Sequence, residues 1–449
     1  MFGPIRRFFA PAPFVERLPE EQVRRLYPLH RLNVLTATYL GYATFYIVRN
    51  NLSAIAPDVE GALHYDHSMV GSILAISALS YGVGKFLMGS LSDRSDPRKF
   101  MACGLLLTAL CNFAFGSVAS YPVHLLLWAL NGAIQGMGWP PCGRCIGHWF
   151  CVRERGTVFS IWNTATNVGG GLAGVIATQA TKYCDWQCAF YFPAAIALVG
   201  AAYLFWRLRD TPQSVGLPSI EEYKNDYTEL EKVHGTRETE LSTRELFVDN
   251  ILKNKYIWLF AAANFFVYIV RYSMLDWGPT YLREMKGANL ESGGFAILVL
   301  EWGGIPSTLL MGWWSDKVGG RRGMVSLLCL LPILVAMTVM LFTPAGYLWL
   351  DFCMLATIGF FIYPPVMLLA LAALDLTSKK AVGTAAGFIG MFGYLGRTTL
   401  SQGIGWIVDY YKDLYGLATA WNIAIGSVIV STFIAIVLLA FTWHIRPRA

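Results

Sequence analysis

The sequence predicts an all-α membrane protein, with twelve transmembrane helices arranged as two pseudo-symmetric six-helix bundles. Three observations carry that expectation. The 449-residue chain is 55% hydrophobic and 14% charged, a balance with far less charge than a soluble protein of this length carries. Apolar runs of roughly 20 residues, enough to cross a hydrocarbon core, follow one another about twelve times. Short motifs of the first half also return in the second at a nearly constant spacing.

The runs lie near 32–54, 68–91, 98–119, 122–149, 156–181, 188–207, 255–281, 291–315, 322–342, 347–374, 383–408 and 419–444. Basic residues punctuate alternate gaps. Arg94, Arg98 and Lys99 follow the second run, and Arg153 and Arg155 the fourth. Lys317, Arg321 and Arg322 follow the eighth, Lys379 and Lys380 the tenth, and Arg446 and Arg448 the last. The intervening gaps, such as Ser117 to Pro122, are poor in Lys and Arg. The basic side of such a chain stays in the cytoplasm. The expected organisation is therefore a cytoplasmic segment 1–31, a bundle 32–207, a charged cytoplasmic linker 208–254, a second bundle 255–444 and a cytoplasmic tail 445–449. The first 31 residues hold six arginines and no apolar h-region, so no cleaved signal peptide is expected. The net charge of +6 sits on that one side, which argues against a nucleic-acid partner and for the lipid bilayer.

Of the nine cysteines, Cys142 and Cys145 form a C-x-x-C inside an apolar run and lack the second pair of a zinc site, so buried inert thiols are expected. Cys184 and Cys188 could pair if their loop faces an oxidising compartment.

The duplication centres on Tyr46-Ile47-Val48-Arg49, which returns as Tyr268-Ile269-Val270-Arg271. Gly89-Ser90-Leu91-Ser92-Asp93-Arg94 returns as Gly312-Trp313-Trp314-Ser315-Asp316-Lys317, Trp139-Pro140-Pro141 as Tyr363-Pro364-Pro365, and Gly156-Thr157 as Gly383-Thr384. A charge at membrane depth is costly and normally faces a cavity or a partner. Two arginines at equivalent places point to one shared anion site on the pseudo-symmetry axis. Guanidinium suits phosphate because it is planar, permanently charged and able to donate two parallel hydrogen bonds. Tyr42, Tyr46 and Arg49 share a helix face, as do Asn264, Tyr268 and Arg271. The competing reading pairs Arg271 with Asp276 or Glu301 to hold helices together.

Two six-helix halves with a G-x-x-x-D-[RK] loop after the second and eighth runs resemble the major facilitator superfamily. Within it the chain resembles the organophosphate:phosphate antiporters, most closely the members that carry glycerol-3-phosphate. The stretches that carry this resemblance are Gly136-Met137-Gly138-Trp139-Pro140-Pro141-Cys142-Gly143-Arg144, Arg209 to Ser214, Ile220 to Tyr227, Gly304-Ile305-Pro306 and Gly383 to Phe388. The resemblance implies a major facilitator fold in a bacterial inner (plasma) membrane. It implies import of an organophosphate, sn-glycerol-3-phosphate foremost, in exchange for inorganic phosphate by alternating access, without enzymatic chemistry, cofactor or metal. Hexose-6-phosphate or phosphoglycerate exchange, or a transporter-like sensor of sugar phosphate, are the alternatives, and a monomer is expected to suffice.

The resemblance further implies that Lys85 lies near the phosphate, where the rival reading has it snorkel to headgroups. Tyr81, four residues before Lys85, shares its helix face and is a further candidate; the resemblance makes Trp139, Tyr363 and Tyr394 cavity candidates and Glu301 a gating or structural acid. Asp93 with Arg94, and Asp316 with Lys317, are expected as latches between helices, and Arg144 as a latch or a snorkelling cation. The chain departs from the family at Thr166, where His is common, at Asn50, where Lys is frequent, and at Arg397, where Gly is usual. Arg397 is therefore expected either to supply positive charge near Thr166 or to turn away and pair with an acid. With an arginine from each half, closing the empty site would press like charges together, so closure is favoured when an anion bridges them.

Overall fold

The computed structural model describes residues 7–92, 94–225, 253–376 and 382–445. Every regular element among them is helical, and the long helices pack as two bundles. In the first half α1 spans Glu20–Ile47. Two short helices, α2 (Asn51–Ala54) and α3 (Ala56–Leu63), follow it, then α4 (His67–Ser92), α5 (Pro97–Ser117), α6 (Tyr121–Gln135), α7 (Trp139–Trp149) and α8 (Val152–Arg207). After the short α9 (Ile220–Lys224) the second half comprises α10 (Lys255–Asp276), α11 (Gly278–Lys286), α12 (Leu290–Lys317), α13 (Arg322–Phe342), α14 (Leu348–Leu376), α15 (Val382–Tyr415) and α16 (Leu417–Ala440).

The twelve expected crossings are not each one unbroken helix. The predicted fourth run is divided into α6 and α7 by the Gly136-Met137-Gly138 turn before Trp139-Pro140-Pro141, as expected where prolines favour a helix start. The fifth and sixth runs are joined in α8, which breaks at Cys184 and Asp185, where the backbone leaves helical geometry. Cys184 and Cys188 are disulfide-bonded there, while Cys142 and Cys145 are buried free thiols. Among the described residues eight helices are long and apolar enough on their own to cross a membrane, counting the bent Thr157–Arg207 once. The duplication is visible in the backbone: α3 and α11, each preceded by a break, stand at corresponding places after the two arginine-bearing helices.

Two boundaries differ from expectation. Helix α1 begins at Glu20 rather than near 32, because Glu20, Glu21, Arg24 and Arg25 continue the helix out of the apolar zone; acidic residues suit its N-terminus. The start of the linker is also firmly docked on the first half. Asp210 accepts from the Ala12 and Trp149 side of the bundle, its carboxylate from Ala12 N at 3.1 Å and from Arg144 Nη2 at 3.0 Å, its carbonyl from Trp149 Nε1 at 3.0 Å. The Tyr27 ring stacks on Tyr223 at 3.9 Å. Residues 226–252 lie outside the described set.

The halves meet where α4 packs on α15 and α8 on α12. Glycines let the backbones approach. A Cβ on Gly71 would lie 2.5 Å from the Ser401 carbonyl oxygen, and one on Gly174 2.7 Å from that of Gly294, contacts no other residue could make. At the end of the bundle opposite the termini, polar contacts seal this seam. Asp58 pairs with Arg283 at 2.7 Å, Lys182 with Glu291 at 2.6 Å, and Ser72 donates to Gln402 at 2.7 Å. His67 sits among them, donating to Asp409 from Nδ1 at 3.0 Å and to Glu284 from Nε2 at 3.1 Å.

Candidate functional site

Arg49 and Arg271 reach the same central region by different local structures. Arg271 lies inside the regular helix α10. Arg49 lies just beyond the end of α1, in a turn before α2. Non-helical backbone at membrane depth needs its freed carbonyls satisfied by protein. Here Asn112 and Asn131 both donate to the Val48 carbonyl, at 3.0 and 3.3 Å, and Asn51 donates to Asn112 at 2.8 Å. Three asparagines thus hold the turn that aims Arg49.

Both guanidiniums are buried, 6% exposed for Arg49 and 8% for Arg271. Arg49 donates from Nε and Nη2 to Gln135 Oε1 at 3.2 and 3.1 Å and lies over the rings of Tyr46 (4.4 Å) and Tyr81 (4.3 Å). Arg271 lies over Tyr363 at 4.7 Å, Tyr272 at 5.0 Å and Tyr268 at 6.0 Å, and its Nε has no hydrogen-bond partner. Among the described residues neither guanidinium forms an ion pair with a carboxylate. Aromatic faces offset part of a buried cation's desolvation, roughly 2 kcal/mol when water is excluded, which is far from enough for an ion at this depth.

Rings connect the two cations across the seam. Tyr81 of α4 meets Tyr394 of α15 edge-on at 4.8 Å, and Tyr394 meets Tyr268 of α10 at 5.4 Å. The candidate residues Arg49, Tyr46, Tyr81, Tyr394, Tyr268, Arg271 and Tyr363 therefore form one continuous cluster. Lys85, one turn from Tyr81, holds its ammonium over the Trp139 ring at 5.0 Å. Tyr42 stands behind the cluster, stacked on Trp162 at 4.8 Å and edge-on to Tyr46 at 5.4 Å. The arrangement offers fixed positive charge and phenolic donors, the chemistry of an oxyanion site; guanidinium and phenol groups are no metal-binding set.

The acids are arranged differently from expectation. Asp276 does not serve Arg271. It accepts from Arg397 Nε at 3.0 Å and Nη2 at 2.9 Å and from Ser401 at 2.9 Å, while the Arg397 guanidinium lies over Tyr272 at 4.0 Å. The planar fork of Arg397 matches this carboxylate, so its charge is neutralised inside the second half and is not presented toward Thr166. The Thr166 hydroxyl donates to the Asn163 carbonyl of its own helix at 2.9 Å and lies 3.3 Å from Oδ1 of Asn167, the residue whose amide reaches Glu301. Glu301, fully buried, accepts from Tyr363 and, across the seam, from Asn167 at 3.2 Å, and so tethers the ring above Arg271 to the first half.

Of the residues expected as latches between helices, Asp316 joins α12 to α13. Asp316 pairs with Arg322 at 2.6 Å at the start of the next helix, whereas Lys317 lies over Trp313 at 4.3 Å. The short turn into α13 brings Arg322 back beside Asp316. Arg144 ties α7 to the linker through Asp210 and to the Ser92 carbonyl. Arg94 is exposed, and Asp93 lies outside the described residues. Gln135, Tyr272 and Asn167 are the members that sequence reasoning missed. Gln135 had a signal, an amide in an apolar run just before the Gly-Met-Gly turn, and Tyr272 another, one residue past the repeated motif.

At the sealed end, outside the spans, burial pushes the Glu60 carboxyl up to about 7, and the charge of His67 only partly offsets this. Burial would raise Glu284 as well, but hydrogen bonds from His67 and Trp421 hold it below the usual carboxylate range.

Comparison with known proteins accords with this geometry. A glycerol-3-phosphate transporter of Bacillus subtilis (strain 168) is 42% identical over 448 residues, covering 98% of each chain. A probable hexose phosphate transport protein of Chlamydia pneumoniae is 37% identical, again with 98% of each chain covered. The fold is like that of a bacterial homologue of the human lysosomal transporter Spinster, at a TM-score of 0.72 and 15% identity over 92% of this chain and 97% of that one. The family model of the Major Facilitator Superfamily matches residues 38–401. With the duplicated helices, the seam between the halves and the full-length likeness in agreement, the chain belongs to the Major Facilitator Superfamily.

Proposed function

We propose that the protein carries an organophosphate, glycerol-3-phosphate first among them, across a bacterial inner membrane in exchange for inorganic phosphate. The observation that carries this reading is the pair of buried guanidiniums, one from each half, that have no carboxylate counter-ion among the described residues. A phosphate dianion would supply the missing charge, accept parallel hydrogen bonds from each fork and take further donors from Tyr46 and Tyr268. Two relatives of nearly full length are named for transport of glycerol-3-phosphate and hexose phosphate, which supports a phosphate monoester as the substrate class.

Exchange follows from electrostatics. The two cations lie on opposite sides of the seam, so bringing the halves together over an unloaded site desolvates like charges. A bridging anion removes that penalty, and crossing is then favoured only when the site is loaded. The termini and the start of the linker are placed on the cytoplasmic side and the sealed end outside, from the distribution of Lys and Arg. A single chain holds both arginines, so a monomer suffices.

The experiment is exchange in phosphate-loaded proteoliposomes challenged with glycerol-3-phosphate, glucose-6-phosphate and phosphoglycerates. Release of labelled phosphate that requires an external phosphate monoester, with glycerol-3-phosphate most effective, is expected. Release that proceeds equally into buffer would overturn obligatory exchange, and binding without any release would identify a sensor.

A further inference from the structure

The residues that seal the end opposite the termini do more than pair opposite charges. Both nitrogens of the His67 ring face carboxylate oxygens, Nδ1 toward Asp409 at 3.0 Å and Nε2 toward Glu284 at 3.1 Å, as an imidazolium donating on both sides. A second carboxylate also points at Nε2: Glu60 Oε2 lies 4.0 Å from it. The Glu60 side chain is only 10% exposed, and among the described residues neither of its oxygens makes a hydrogen bond, Oε1 being buried without a partner. A buried carboxylate oxygen with no donor carries a desolvation cost that the nearby His67 charge offsets only in part. Around it, Glu60, Glu284 and Asp409 face one imidazolium and one ammonium, that of Lys412, which lies 2.7 Å from Asp409. One negative charge is left over.

We infer that Glu60, His67 and Glu284 form a binding site for a divalent cation of the zinc type, bridging the two halves at this seal. One donor atom from each of the three lies within 4.8 Å of the others. Tetrahedral ligands at zinc distances are about 3.3 Å apart, so Glu284, 3.1 Å from Nε2, already stands at ligand spacing from the ring, and Glu60, 4.0 Å from Nε2 and within 4.8 Å of Glu284, needs to approach by roughly 1–1.5 Å. Zinc accepts a neutral imidazole nitrogen and two carboxylate oxygens and leaves a fourth position for water. The metal replaces the proton on Nε2, which is released to solvent. Asp409 then accepts from Nδ1–H, the outer hydrogen bond that fixes the tautomer and orientation of metal-bound histidines. Exchange of one proton for a dication removes the surplus negative charge. Glu60 and His67 belong to the first half and Glu284 to the second, so a bound cation fastens the halves together at this end.

The test is zinc binding to the purified full-length protein in phosphate-free detergent solution with free thiols alkylated. Titration calorimetry gives stoichiometry and affinity, and the melting temperature with and without zinc gives a second readout that needs no transport. One zinc per chain and a zinc-dependent rise in melting temperature are expected. Glu60→Gln, which removes a ligand without removing any hydrogen bond seen in the seal, should weaken binding at least tenfold. Glu60→His restores a ligand and should bring affinity back to within tenfold of the original. No zinc-dependent rise in the unaltered protein, or equal affinity in Glu60→Gln, would overturn the proposal. So would Glu60→His behaving as Glu60→Gln does. Because these readouts are independent of exchange, a failure here leaves the transport reading untouched, and the converse also holds.

Discussion

Replacing Arg271 by lysine keeps one positive charge among Tyr268, Tyr272 and Tyr363 but removes the planar fork. None of the Arg271 donors is engaged by a protein acceptor among the described residues, so the loss falls on a bound anion rather than on the fold. A hydrogen bond to a charged partner contributes about 1.5–3 kcal/mol net. Losing one of a parallel pair should therefore weaken phosphate binding by about 10- to 150-fold. Arg49→Lys is the informative partner. Two of its N–H groups already serve Gln135 Oε1, and lysine leaves that buried acceptor without its donors, at about 1–3 kcal/mol. Arg49→Lys should lower both phosphate affinity and melting temperature, whereas Arg271→Lys should lower affinity with little change in melting. Calorimetric phosphate titrations at one fixed low ionic strength and thermal unfolding of the same detergent samples separate the two effects. If Arg271→Lys binds phosphate within threefold of the original protein, the guanidinium fork takes no part in holding the anion.

The Asp276–Arg397 pair gives a second expectation. Arg397→Gly strands a buried carboxylate and should destabilise the protein by about 3–5 kcal/mol, while Arg397→Leu combined with Asp276→Asn should recover much of that, both read by thermal unfolding. The preference among glycerol-3-phosphate, hexose-6-phosphate and phosphoglycerate should survive in the double variant; a reordering would show that Arg397 selects substrate. For orientation, cysteines introduced at Ser117 or Gly346 should react with an impermeant reagent added outside cells and one at Lys224 should not. Reaction at Lys224 would reverse the topology.

Composition and repetition made the two-bundle fold legible, because a membrane helix must be apolar over most of its length and a duplicated gene repeats its markers. The arginine–tyrosine pattern was legible for the same reason. Where a side chain finds its partner was not. Asp276 and Glu301 are both acids near Arg271 in the chain order, yet Arg397 takes the first and Tyr363 with Asn167 the second, and only the packing of α10 against α15 and of α12 against α8 decides this. The turn inside α8 was legible as well: the fifth and sixth apolar runs part between 181 and 188, and the backbone leaves helical geometry within that gap, at Cys184 and Asp185.

The seal at the end opposite the termini also has a consequence for how the two sides of the membrane perceive one site. A ligand arriving from that end binds only molecules in which the contacts of Asp58, His67 and Lys182 have parted. Its apparent dissociation constant is the intrinsic one divided by the fraction so opened. With about one molecule in ten open, the same pocket would look tenfold weaker from that face, with no difference in the residues that touch the ligand. Sidedness of apparent affinity in this protein is then a property of the gate. Loosening Arg283 or Lys182 would sharpen binding from one face while leaving every atom of the arginine–tyrosine cluster where it is.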